Sequence, residues 1–127
     1  MIERKKKITI GKKSFVVDFP NVGQMIDIES LRCALSNNRY GSMIASGVVS
    51  MYDALDLIDA IAFYQICAPE VGKFYNIENY TALQLEDIAK LMKAYRKDIK
   101  PWYNKVMEEI RASYNELTED EDEANEE

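Results

Sequence analysis

Histidine is absent from this chain. That removes the commonest general base at neutral pH and the commonest zinc ligand, and much ordinary enzymology with them. Cysteine is scarce: Cys33 and Cys67 stand alone and far apart. They make no Cys-x-x-Cys pair and no disulfide framework, so neither structural zinc nor a stapled secreted scaffold is expected. Each lies in an apolar run, where a thiol behaves as a small hydrophobe, and both are expected to be buried. Glycine is sparse as well. The joint Gly41–Gly47 lacks the Gly-Lys-Ser/Thr ending of a phosphate-binding loop and does not match a Gly-x-Ser-x-Gly nucleophile elbow. The longest apolar stretch, Val48 to Ala68, is interrupted by Asp53, Asp56, Asp59 and Gln65. Each aspartate would cost about 2.5–3.5 kcal/mol at a bilayer centre. The basic start, Arg4 to Lys7, is followed by no uninterrupted apolar segment of the signal-peptide kind. The expectation is a soluble, intracellular protein with no membrane contact and no catalytic residue, metal or cofactor.

What is present points to one packed domain. The chain has 127 residues, is 47% hydrophobic, and carries four Phe, eight Tyr and one Trp. A chain of this size buries about two-thirds of the surface its unfolded form exposes. Its net charge is −6, but the charge is unevenly spread. Seven of the 22 acids lie in 118–127, which leaves 15 acids against 16 basic groups in 1–117. The tail alone makes the protein acidic, and with nothing to bury it is expected to be disordered.

Ile8 and Ile10 alternate with Lys7 and Thr9, and after Gly11-Lys12-Lys13 Phe15, Val17 and Phe19 alternate with Ser14, Val16 and Asp18. Period two on both sides of a glycine-bearing turn predicts a β-hairpin over 1–19. A lone hairpin is marginal in water, so its apolar face must lie on helices or join another chain's sheet. Pro20 stops the second strand and Asn21 caps a helix carrying Met25, Ile28, Leu31 and Leu35 on one face. Ser36 to Gly41 reads as a helix end and loop, and 41–47 as a flexible joint. A central helix begins between Ser46 and Ser50, with Ser50 and Asp53 as an approximate capping box, and ends before Pro69. Asp53, Asp56 and Asp59 drift over a third of its circumference, and the rest is apolar, wider than one amphipathic stripe. These aspartates are oxygen donors of the kind Mg²⁺ takes, but helical aspartates three apart more often form a plain polar stripe. Glu70 to Tyr80 reads as an aromatic loop. Thr81 opens a further helix with Gln84 at the reciprocal capping position; its apolar face is Leu85, Ile88, Met92, Tyr95 and Ile99. Lys100-Pro101 marks a kink or fresh start, and Trp102, Val106, Ile110 and Tyr114 continue an apolar face.

The fold expected is therefore α+β: an N-terminal β-hairpin packed on a bundle of about four helices spanning 21–117, then a disordered acidic tail, 118–127. Two features recruit partners, an unpaired hairpin edge and an excess of apolar helix surface. The candidate partner contacts are Phe15, Val17 and Phe19 on the hairpin and Val49, Met51, Tyr52 and Leu55 early in the central helix. An alternative uses two basic patches for a polyanion. One is Lys5, Lys6, Lys7, Lys12 and Lys13; the other is Lys90, Lys93, Lys97 and Lys100, which share a helix face. No nucleic-acid-binding motif accompanies these lysines, so a solvated surface is the plainer reading, and the acidic tail is itself complementary to them.

Residues Gly11 to Leu35, GKKSFVVDFPNVGQMIDIESLRCAL, combine a basic hairpin, Phe-Pro, and a helix opening Val-Gly-Gln-Met-Ile-Asp-Ile-Glu. With a helical remainder and a charged tail, this resembles small accessory and assembly proteins of tailed bacteriophages, including tail-assembly chaperones. The resemblance covers about a fifth of the chain and brings no catalytic residues. It implies a non-enzymatic role, chaperoning a virion protein or serving as a minor structural protein, in the host cytoplasm or the virion. The implied partner is another phage structural protein or a second copy of the chain; nucleic acid is the lesser alternative.

Overall fold

The computed structural model describes residues 2–126; the side chains of Ser50 and of 118–126 lie outside the described residues. Of the tail expected to be disordered, 118–127, the backbone is described to Glu126 and the side chains lie outside the described residues. The architecture is α+β. A two-stranded antiparallel hairpin, β1 (Lys5–Ile10) and β2 (Lys13–Asp18), packs on helices. These are α1 (Val22–Leu35), α2 (Tyr40–Ala45), α3 (Val49–Cys67), α4 (Pro69–Phe74), α5 (Leu85–Ala94) and α6 (Lys100–Glu126). Among the described residues no helix is long and apolar enough to cross a membrane.

The hairpin turns at Gly11-Lys12, where Gly11 takes a φ of +62° that L side chains rarely adopt. Register pairs Lys5 with Asp18, Ile8 with Phe15 and Ile10 with Lys13. The inner face, Ile8, Ile10, Phe15 and Val17, is buried against the helices together with Phe19, just past β2. Burying a side chain such as Ile8 or Val17 contributes about 1.5–3 kcal/mol. The hairpin thus lies on its own helices, which removes Phe15, Val17 and Phe19 as free partner contacts. The outer edge of β1 is covered as well: it runs beside α5, and Thr9 N–H reaches Asp98 Oδ2 at 3.3 Å.

Asn21 caps α1 as expected, and the box is reciprocal. Its side chain accepts from Gln24 N–H at 2.9 Å, while Gln24 Oε1 accepts from Asn21 N–H at 3.0 Å. Asn37 and Asn38 then take positive φ in succession, reversing the chain. Four local readings depart from expectation. The joint after Arg39 forms the short helix α2. The first five residues of the aromatic loop after Pro69 are helical, with Pro69 in the first turn of α4, where its missing N–H costs nothing. Helix α3 starts at Val49, inside the expected window, but Ser50 lies within the helix, and Ser46 Oγ accepts from Val48 N–H in place of the expected Ser50 box. Nor does Thr81 open α5: Asn79 caps a single 3₁₀ turn, Tyr80–Ala82, and Leu85 is the first residue of α5 after Gln84.

Helices α5 and α6 are joined without a break by a π-helical segment, Tyr95–Ile99. Lys100 N–H reaches back five residues to Tyr95 O. Pro101 explains the widening: a proline in a helix lacks a donor and clashes with the carbonyl four residues back, and a wider turn relieves both. Trp102 closes the core from the start of α6, its Nε1–H donating to Glu3 O at 2.7 Å, and Tyr64 O–H donates to Leu91 O at 2.6 Å.

Candidate interaction surface

The central helix is two different helices in sequence. Ala60, Ile61, Ala62, Phe63 and Tyr64 are all buried, packed among α5, α6 and the hairpin. The opening turns are not: Val49 is 78% exposed and Tyr52 50%, and Met51 is exposed beside them. Ile44 of α2 and Val48 add to the same exposed stretch. Of the expected α3 contacts, Val49, Met51 and Tyr52 are therefore accessible. Leu55 is corrected to core, because it turns inward one turn later and is buried.

The aspartates of α3 are held by cations from three other segments. Arg96 reaches Asp53 Oδ1 at 3.0 Å and Asp56 Oδ2 at 3.1 Å, and Lys100 reaches Asp56 Oδ1 at 2.8 Å. Asp59 has other partners. Tyr40 O–H donates to its Oδ1 at 2.7 Å, and Arg32 Nε stands 2.9 Å from the same oxygen. That Nε–H is off the hydrogen-bond line, so the contact is an ion pair and the buried N–H makes no hydrogen bond. Arg32 also pairs with Glu29 and lies over the Tyr40 ring. Burial holds the Asp59 carboxyl above its usual range, against the opposing pull of Arg32 and Tyr40. Burial lowers the Arg32 pKa, but the Asp59, Tyr40 and Glu29 charges raise it further, and the net shift is upward. The three carboxylates thus fasten α3 to its neighbours, and among the described residues no cluster of three Cys, Asp or Glu is arranged to hold a metal ion.

Beside the exposed opening of α3 runs a groove of about 820 Å³ between α3 and α5. Leu57, Leu85, Ile88, Ala89 and Met92 give it an apolar floor, and Lys93, Arg96 and Lys97 give it a basic rim, with Asp53 at its edge. Val49 stands one turn before Asp53 on the same stripe of α3, so the exposed patch continues the groove. Leu85 was expected on the core face of α5. It begins the helix beyond the edge of the core, is 71% exposed, and lines the groove. Ala89 and Leu85 are the surface residues that the sequence did not single out; a first-turn leucine with no capping partner is the only signal they leave.

The lysines divide by role. Lys5 is tied to Asp18 at 2.9 Å across the hairpin, Lys6 is half-buried, and Lys100 is tied to Asp56. Lys7 and Lys12 are exposed, and Lys13 lies over the Phe74 and Phe15 rings. Lys90 packs under the hairpin turn: a Cβ placed on Gly11 would lie 3.9 Å from Lys90 Cδ. The fold therefore brings the hairpin lysines next to the helix lysines. Among the described residues Lys93 and Lys97 make no ion pair. Cys33 is exposed, against expectation, because α1 turns that side outward; Cys67 is buried and its thiol is pushed up to about 12.

Comparison with protein-family models, with curated proteins and with solved structures finds no match.

Proposed function

We propose that this chain is a non-enzymatic assembly module that docks another protein on the opening of α3 and the adjoining groove. The observation that carries the reading is the run of exposed apolar side chains at Ile44, Val48, Val49, Met51 and Tyr52 on the lip of an apolar groove. Monomeric soluble proteins rarely leave such surface uncovered, and an apolar groove with a charged rim suits an amphipathic helix. The likeness of residues 11–35 to accessory proteins of tailed phages supplies the setting: chaperoning or organising a virion protein in the host cytoplasm, or a minor place in the particle.

A photocrosslinking amino acid at Val49, in cells producing the protein in its native setting, tests the docking. A discrete protein adduct is expected there and not at exposed Lys105. Equal, diffuse labelling at both sites defeats the reading. Flanking tail or capsid genes are the expected genomic setting.

A second reading, a nucleic-acid-associated regulator, is favoured by one observation: the packing of Lys90 under the Gly11 turn joins two basic segments that are distant in sequence. It requires affinity for DNA or RNA at low salt that falls steeply as salt rises.

A further inference from the structure

On the rim of the groove Lys93 and Lys97 make no ion pair among the described residues, and this chain carries a segment of the opposite charge. The apolar stripe of α6 is consumed by the core at Trp102 and Val106, half-covered at Ile110, and 64% exposed at Leu117. Ile110 and Leu117 are seven residues apart and share a stripe. Directly after them come seven acids in 118–127 and no basic residue. An apolar stripe followed by dense negative charge is the complement of an apolar floor rimmed by Lys93, Arg96 and Lys97.

That segment is carried away from its own groove. Leu117 lies about 20 residues beyond Lys97 in one unbroken helical run, or about 30 Å along the axis. Helix α6 continues to Glu126, farther still from the rim. We propose that the occupant of the α3/α5 groove is the distal part of α6 from a second copy of this chain, Leu117 lying on the floor and the acids of 118–127 meeting Lys93 and Lys97. A reciprocal exchange closes a two-fold dimer and covers both grooves at once. The inference rests on the docking reading and names its partner.

Sedimentation equilibrium of the full chain tests it at low and at physiological salt. The chain self-associates, more weakly as salt screens the rim. K93E/K97E weakens the association about tenfold or more, and E119K/E121K does the same. Carrying all four substitutions in one chain restores it. Because Leu117 is exposed, L117S weakens association while leaving the thermal unfolding of dilute protein unchanged. A chain that stays monomeric, or associates with no response to the rim and Leu117 substitutions, overturns the inference. If such a monomer still forms the Val49 adduct with a different protein, the docking reading stands without a second copy; if it forms none, both fall.

Discussion

Partners as well as depth give the three α3 aspartates different work. Asp53 faces Arg96 at the surface, where such a pair contributes little, while Asp56 is as enclosed as Asp59 and is held by Arg96 and Lys100. Asp59 is enclosed with Arg32 and Tyr40, and burial leaves its folded pKa above its ordinary 3.8. A folded carboxyl that holds its proton more tightly than the unfolded one adds stability at low pH, and this is lost as pH rises through the folded value. Wild type is therefore expected to lose unfolding free energy relative to D59N as pH is raised from about 4 towards 7. A pH-independent difference in chemical denaturation contradicts this. The cysteines give a second test at the same scale: a maleimide labels Cys33 in the native protein, while Cys67, buried with its thiol pushed up to about 12, reacts only after unfolding. Labelling of both in native protein contradicts the packing. The aspartate stripe was visible in the sequence, but its cations were not: Arg32 and Arg96 lie in other helices, and only the fold brings them within reach.

Elements with strong local signals were legible, and those decided by packing were not. Period-two alternation around Gly11 located the hairpin, and Asn21 after Pro20 located the start of α1, because both are set by neighbours in sequence. Replacing Asn21 by alanine is expected to cost about 1 kcal/mol of stability in urea unfolding, a cap's usual worth; no change contradicts the role of the box. The short helices α2 and α4 escaped notice because six residues carry less than two turns of periodicity. The proline signal at Lys100-Pro101 was read as a kink or a fresh start, and the chain instead widens into a π segment and continues. Tyr64 ties α3 to α5 at that level through Leu91 O. Y64F removes one of two donors to Leu91 O, which keeps Tyr95 N–H, and is expected to cost about 1 kcal/mol by the same measurement.

At the scale of the whole molecule, the sequence announced more apolar helix than one small body hides, and the excess proves to be local. The hairpin face and the second half of α3 are enclosed by the chain itself, so Phe15, Val17, Phe19 and Leu55 belong to the core. Among the described residues the uncovered apolar surface includes the opening of α3, the groove it leads into and the far end of α6, with Val22 and Ile26 exposed separately on α1. The sequence could not separate buried from exposed positions on a helix apolar nearly all round; that division depends on where α5 begins and how far α3 projects past it. Carbene footprinting of the protein in its producing cells and of the purified chain at high dilution tests the account most directly. The account predicts that Val49, Tyr52, Leu85 and Ala89 are shielded in the cell and label strongly when dilute, while Val16 on the outer hairpin face labels alike in both. Equal labelling of all five sites in both samples would mean that nothing covers this surface.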